Sequence, residues 1–110
     1  MMNQEEMAFL KKYLSDEKQF IYDGYYRLRE INDEIYEFAF LDSDACGATS
    51  VHPQITIEWN GQKWQPTKLL DFVTTPVKNI SYSDETSKYL SAALKDLYNK
   101  CYFSINKNNY

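Results

Sequence analysis

The chain has 110 residues, 44 % of them hydrophobic and 16 % aromatic, with 25 % charged and a net charge of −4. That length fits one domain spanning 1–110, and the aromatic content excludes global disorder, because disordered chains lack the apolar area to offset the entropy of ordering. No apolar run approaches the length that crosses a bilayer, and the polar start Met1-Met2-Asn3-Gln4-Glu5-Glu6 lacks a signal-peptide pattern, so a cytoplasmic protein without membrane contact is expected.

Asn3 and Glu6 are spaced as a capping box, and Met7, Leu10, Tyr13 and Leu14 then share one helical face. A first helix is expected over about residues 4–15. The stretch 25–41 reads two ways. As a helix, Leu28, Ile31, Ile35 and Phe38 recur at intervals of three and four; as strands, Tyr36, Phe38 and Phe40 alternate with Glu37 and Ala39. The β-branched and aromatic content favours a hairpin turning at Asn32-Asp33-Glu34. Its register would set Arg29 opposite Glu37, Leu28 opposite Phe38 and Tyr26 opposite Phe40.

Residues 42–50 are rich in Asp, Ser, Gly and Thr and read as a loop. Gln54 to Trp59 alternates with period two, and Asn60-Gly61 then leads into Gln62-Lys63-Trp64-Gln65. Asn-Gly between such runs predicts a hairpin with a type I′ turn, which Pro66 should end for want of an N–H. Leu69 to Val73 is a short apolar segment of undecided type, broken by Pro76. A closing helix is the clearest long element. Ser81 to Ser83 would cap it, Asp84 and Glu85 would begin it, and Tyr89, Leu90, Ala93, Leu94, Leu97, Tyr98, Cys101 and Tyr102 form its apolar stripe. Residues 105–110 should fray. The fold implied is α+β: an N-terminal helix, an antiparallel sheet of about four strands in two hairpins, and a C-terminal helix packed on the sheet.

Charge is distributed unevenly. Up to Arg29 five acids meet five bases; from Glu30 to Gly61 there are seven acids (Glu30, Asp33, Glu34, Glu37, Asp42, Asp44, Glu58) and no lysine or arginine; beyond it four acids meet seven lysines. A one-signed block of this kind steers partners of opposite sign. It also serves a plainer purpose, since charges on a sheet edge discourage edge-to-edge pairing.

Chemical motifs are sparse. His52 is the only histidine; Cys46, Thr49 and Ser50 lie near it, but no nucleophile elbow marks a catalytic pair, and a structural role is expected. Asp42-Ser43-Asp44-Ala45-Cys46-Gly47 echoes half a calcium loop, yet Pro53 stands where the bidentate Glu is required. It reads as a turn. Cys46 and Cys101 with one histidine cannot make a zinc site, and three glycines make no phosphate loop. No cofactor or metal is expected. Arg27 and Arg29 point the same way on a strand and the late lysines spread over a helix, so direct nucleic-acid binding is disfavoured.

A non-enzymatic protein that occludes a basic site on a partner protein is the leading expectation. The partner-binding candidates are Glu30, Asp33, Glu34, Tyr36, Glu37, Asp42, Asp44, Glu58, Trp59 and Trp64, with the aromatics as anchors. In size and charge alone the chain resembles immunity proteins of nuclease toxins, and phage proteins that imitate nucleic-acid charge. Two alternatives stand beside it: a small-ligand or catalytic domain with a Tyr/Trp-lined cleft between sheet and last helix, and a structural subunit that homodimerises rather than acting as a monomer.

Overall fold

A computed structural model describes residues 1–108. Eight elements follow one another: α1 (Gln4–Tyr13), β1 (Gln19–Ile21), β2 (Gly24–Asn32), β3 (Ile35–Ser43), β4 (Thr49–Trp59), β5 (Trp64–Asp71), β6 (Lys78–Ser81) and α2 (Ser87–Asn108). The strands form one antiparallel meander in the order β1-β2-β3-β4-β5-β6. The α+β class is as the sequence implied, but six strands replace the expected four. The two additions, β1 and β6, are edge strands of three and four residues. Runs that short carry too little alternation to stand out.

The period-two pattern sorts the sheet into two faces. Tyr26, Leu28, Tyr36, Phe38, Phe40, Ile55, Ile57, Trp64 and Leu69 join Met7 and Leu10 of α1, Leu14 just past its end, and Leu90, Leu94, Leu97, Cys101 and Ile105 of α2 in one core. The opposite face carries Arg27, bonded to Gln54 at 2.8 Å, and Arg29, paired with Glu37 at 3.3 Å. Both arginines therefore do point the same way.

The residues that position the rest behave largely as their chemistry requires. The Glu6 amide donates to Asn3 Oδ1 at 2.8 Å and the Asn3 amide to Glu6 Oε1 at 3.0 Å, completing the capping box. The 25–41 stretch is a hairpin, with Arg29 opposite Glu37, Leu28 opposite Phe38 and Tyr26 opposite Phe40. Its register shifts between Glu30 and Asn32, so the turn proper is Asp33-Glu34. The buried hydroxyls of Tyr26 and Ser104 lie 3.0 Å apart, and both reach Asp23 Oδ1, tying the start of β2 to the end of α2.

Five local expectations are corrected. Gly61 has φ +96° but Asn60 has no positive φ, so the β4–β5 connection is not type I′. It is a four-residue loop in which Asn60 Oδ1 accepts the amides of Gln62 and Lys63. Pro66 does not end its strand; it pairs with Ile57 beside a register shift, where a missing N–H disturbs the ladder least. Strand β4 begins at Thr49, inside the expected loop. The closing helix starts at Ser87, because Thr86 bonds back to Ser81 and Ser83 and holds 83–86 in a turn. At its end α2 runs through Asn108 with Ile105 buried, so 105–108 do not fray; 109–110 lie outside the described residues.

Candidate functional site

The seven acids of the block do not share one face. Glu37 is on the open sheet face, paired with Arg29. Asp42 and Asp44 lie past the far end of β3, where Asp44 Oδ1 accepts the amides of Cys46 and Ala48 in a local turn. A nine-residue strand puts them about 30 Å from the Asp33-Glu34 turn. The calcium-loop echo is therefore a turn, and no metal-holding cluster occurs among the described residues.

The other four acids come together at one end of the sheet, with company from elsewhere. Glu34 and Glu58 are neighbours, since Ile35 pairs with Glu58 and the Trp59 amide donates to the Glu34 carbonyl at 2.9 Å. Asp33 shares the turn. On the helix side, the Glu30 amide donates to Asp16 Oδ1 at 3.1 Å, which draws in the 15–17 segment as α1 ends. A shallow groove of about 620 Å³ there is lined by Lys11, Leu14, Ser15, Asp16, Glu17, Leu28, Glu30 and Tyr36. This end thus gathers Asp16, Glu17, Glu30, Asp33, Glu34 and Glu58. None of the six forms a salt bridge among the described residues. Lys11 and Lys63 are the lysines placed beside them; the Lys11 ammonium sits 4.9 Å over the Tyr36 ring. Ile31, half exposed, adds an apolar residue to the same end.

The aromatic anchors need correction. Tyr36 and Trp64 are each only 4 % exposed and stack edge to face at 5.4 Å. They are core residues, because both point to the helix side of the sheet. Burial first, and then its bond to Glu30 at 2.7 Å, raise the Tyr36 hydroxyl above the usual tyrosine range. Trp59, partly buried against Trp64, is the one anchor candidate left within reach of a partner. Exposed aromatics gather instead at the β1 edge, where Phe20 meets Tyr25 and Tyr22 meets Phe103.

A second constellation was not foreseen. Asp71, at the end of β5, is 6 % exposed. Its two oxygens lie 2.8 and 2.9 Å from His52 Nδ1, and Oδ1 also accepts the amides of Val73 and Thr74 at 3.0 and 3.4 Å. A carboxylate can only accept, so Nδ1 carries a proton, and in the neutral imidazole Nε2 keeps its lone pair. The pair borders a cavity of about 270 Å³ between β4–β5 and α2, whose other walls are Pro53, Leu69, Tyr89, Ala93, Asp96, Leu97 and Lys100. A cleft between sheet and last helix exists, then, but it is lined by one tyrosine and no tryptophan. His52 is near neither Cys46 nor Ser50 in any hydrogen bond; its partner is Asp71. Counting the β4–β5 pairing outward from Trp59–Trp64 brings His52 within a residue of position 71, a signal lost when the strand is ended at Pro66.

Cys46 is exposed and Cys101 buried, and they are not bonded to each other. No helix among the described residues is long and apolar enough to cross a membrane. No protein family, curated protein or solved structure matches this chain.

Proposed function

We propose that this is a non-enzymatic binding protein of the cytoplasm that occludes a basic site on a partner protein, in the manner of an immunity protein or nuclease inhibitor. The observation that carries the reading is the gathering at one end of the sheet of six carboxylates, none of which forms a salt bridge among the described residues. Uncompensated charges of one sign project a field beyond the surface, which raises the encounter rate with a cationic partner. Carboxylates at this end would meet lysines and arginines that otherwise hold phosphate, while Ile31 and Trp59 supply the apolar contact that affinity needs. The docking surface is therefore an end of the sheet, built from 15–17, 30–34 and 58–59, and Glu37, Asp42, Asp44, Tyr36 and Trp64 fall outside it.

The test is to capture partners from an extract of the encoding cells at low and high salt, using the wild-type chain and an Asp33→Lys/Glu34→Lys variant. Both side chains are exposed, so reversal leaves the core intact. A partner with a basic surface, held at low salt by wild type and lost on reversal, is expected. A partner held equally by both chains would overturn the reading.

The cavity beside His52 and Asp71 favours a second reading, a small-ligand-binding or catalytic domain. A histidine oriented through Nδ1 by a buried carboxylate at the border of a cleft is the arrangement general bases use.

A further inference from the structure

The cavity between β4–β5 and α2 has a chemistry distinct from the acidic end. Its inner walls are apolar: Pro53, Leu69, Ala93 and Leu97. Asp71 is already engaged by the imidazole and two backbone amides, so the polar atom that this pair leaves for a guest is His52 Nε2, an acceptor in the neutral imidazole. Its rim carries two exposed opposite charges, Asp96 and Lys100. They stand one helical turn apart, where Cβ atoms are separated by about 5–6 Å. The two are not paired with each other: the Lys100 ammonium lies 3.6 Å over the Phe40 ring, and neither residue forms a salt bridge among the described residues. A volume of about 270 Å³ is at the small end of ligand sites, the size of a single metabolite.

We propose that this cavity binds a free α-amino acid whose apolar side chain ends in one hydrogen-bond donor, the tryptophan or tyrosine class. The aromatic body fills the apolar walls, and its N–H or O–H donates to His52 Nε2. The carboxylate meets Lys100 and the ammonium meets Asp96, so the guest completes a charge pair that the helix leaves open. The inference does not rest on the docking role, since none of the acidic-end carboxylates lines the cavity.

The experiment is an NMR titration of the full chain, read at the imidazole resonances. His52 is the only histidine, so the signal needs no deconvolution. L-Tryptophan should give a saturable shift with a dissociation constant on the order of 1 mM. L-Phenylalanine, which lacks the donor, tryptamine, which lacks the carboxylate, and indole-3-propionate, which lacks the ammonium, should each bind roughly tenfold more weakly. Lys100→Met should abolish the advantage of tryptophan over tryptamine, and Asp96→Asn its advantage over indole-3-propionate. Both residues are exposed, so neither change threatens folding. The proposal is overturned if wild type shows no saturable shift at about ten times that concentration, if the four compounds bind alike, or if the two variants leave their order unchanged.

Discussion

Replacing Asp71 with Asn tests the buried pair directly. In the wild type, one carboxylate that is 6 % exposed serves three donors: His52 Nδ1, the Val73 amide and the Thr74 amide. An amide of the same shape has one accepting oxygen, and its nitrogen would face Nδ1–H, donor against donor. The imidazole can relieve the clash by moving its proton from Nδ1 to Nε2. The pair then survives as a neutral hydrogen bond. Charge-assisted bonds contribute about 1.5–3 kcal/mol and neutral ones about 0.5–1.5, so the loss should be about 1–2 kcal/mol. Unfolding entropy of about 2 cal/mol/K per residue converts that to a fall in Tm of about 4–9 °C for a domain this size. Thermal and urea unfolding measure the stability, and the ring nitrogen shifts of the single histidine report the tautomer. The switch would also turn the cavity's acceptor into a donor and so weaken tryptophan binding. A variant within about 0.3 kcal/mol of wild type, with the proton still on Nδ1, would refute the account of this pair.

Two further outcomes follow from packing and burial. At Gly24 an added Cβ would overlap Cε1 and Cζ of Phe40, whose ring is hemmed in by Tyr26 at 5.1 Å and the Lys100 ammonium at 3.6 Å. Gly24→Ala should therefore cost about 1–3 kcal/mol in urea unfolding, and a second change, Phe40→Leu, should make the added methyl less costly; a Gly24→Ala variant as stable as wild type would show that the ring moves freely. On the alkaline side, burial and then the Asp23 charge push the Cys101 thiol up to about 12, and burial above all raises the Tyr26 hydroxyl. Both groups keep their protons in the folded chain after the unfolded chain has begun to lose them. Their contribution is thus complete below about pH 8.5 and declines as pH rises towards 12, at up to about 1.4 kcal/mol per pH unit for the thiol alone. Stability that stays level between about pH 8.5 and 10.5 would contradict this.

How much was legible in the sequence depended on how local the determinant was. The Asn3–Glu6 box and the Arg29–Glu37 hairpin register are set by residues within ten positions of each other, and both are present in the fold. The helical stripe of α2 was equally plain from its spacing. The edge strands were not, because β1 and β6 owe their existence to neighbours that pair with them rather than to any pattern of their own. Pro66 shows a propensity overruled by context: a register shift next to Ile57 accommodates the missing donor. The acidic surface was half visible. The block in the sequence named Glu30, Asp33, Glu34 and Glu58, but it gave no sign that Asp16 and Glu17 would arrive from another element; that Glu37 would be paired followed from the hairpin register, which sets it opposite Arg29. Aromatics are common at interfaces, which makes Tyr36 and Trp64 look like anchors; strand parity puts them in the core instead. The His52–Asp71 pair spans nineteen positions and a bulged hairpin, so nothing local announced it.

The central claim is that the end of the sheet formed by Asp16, Glu17, Glu30, Asp33, Glu34 and Glu58 draws in a basic partner. Its most direct measurement is the association rate of the captured partner with wild type and with the Asp33→Lys/Glu34→Lys variant across a series of salt concentrations. Salt screens exposed charges beyond about 8–10 Å at physiological strength, so the wild-type rate should fall steeply as salt rises. Reversal should slow association at least about tenfold at low salt and flatten that dependence. Rates that are the same for both chains, and indifferent to salt, would contradict it.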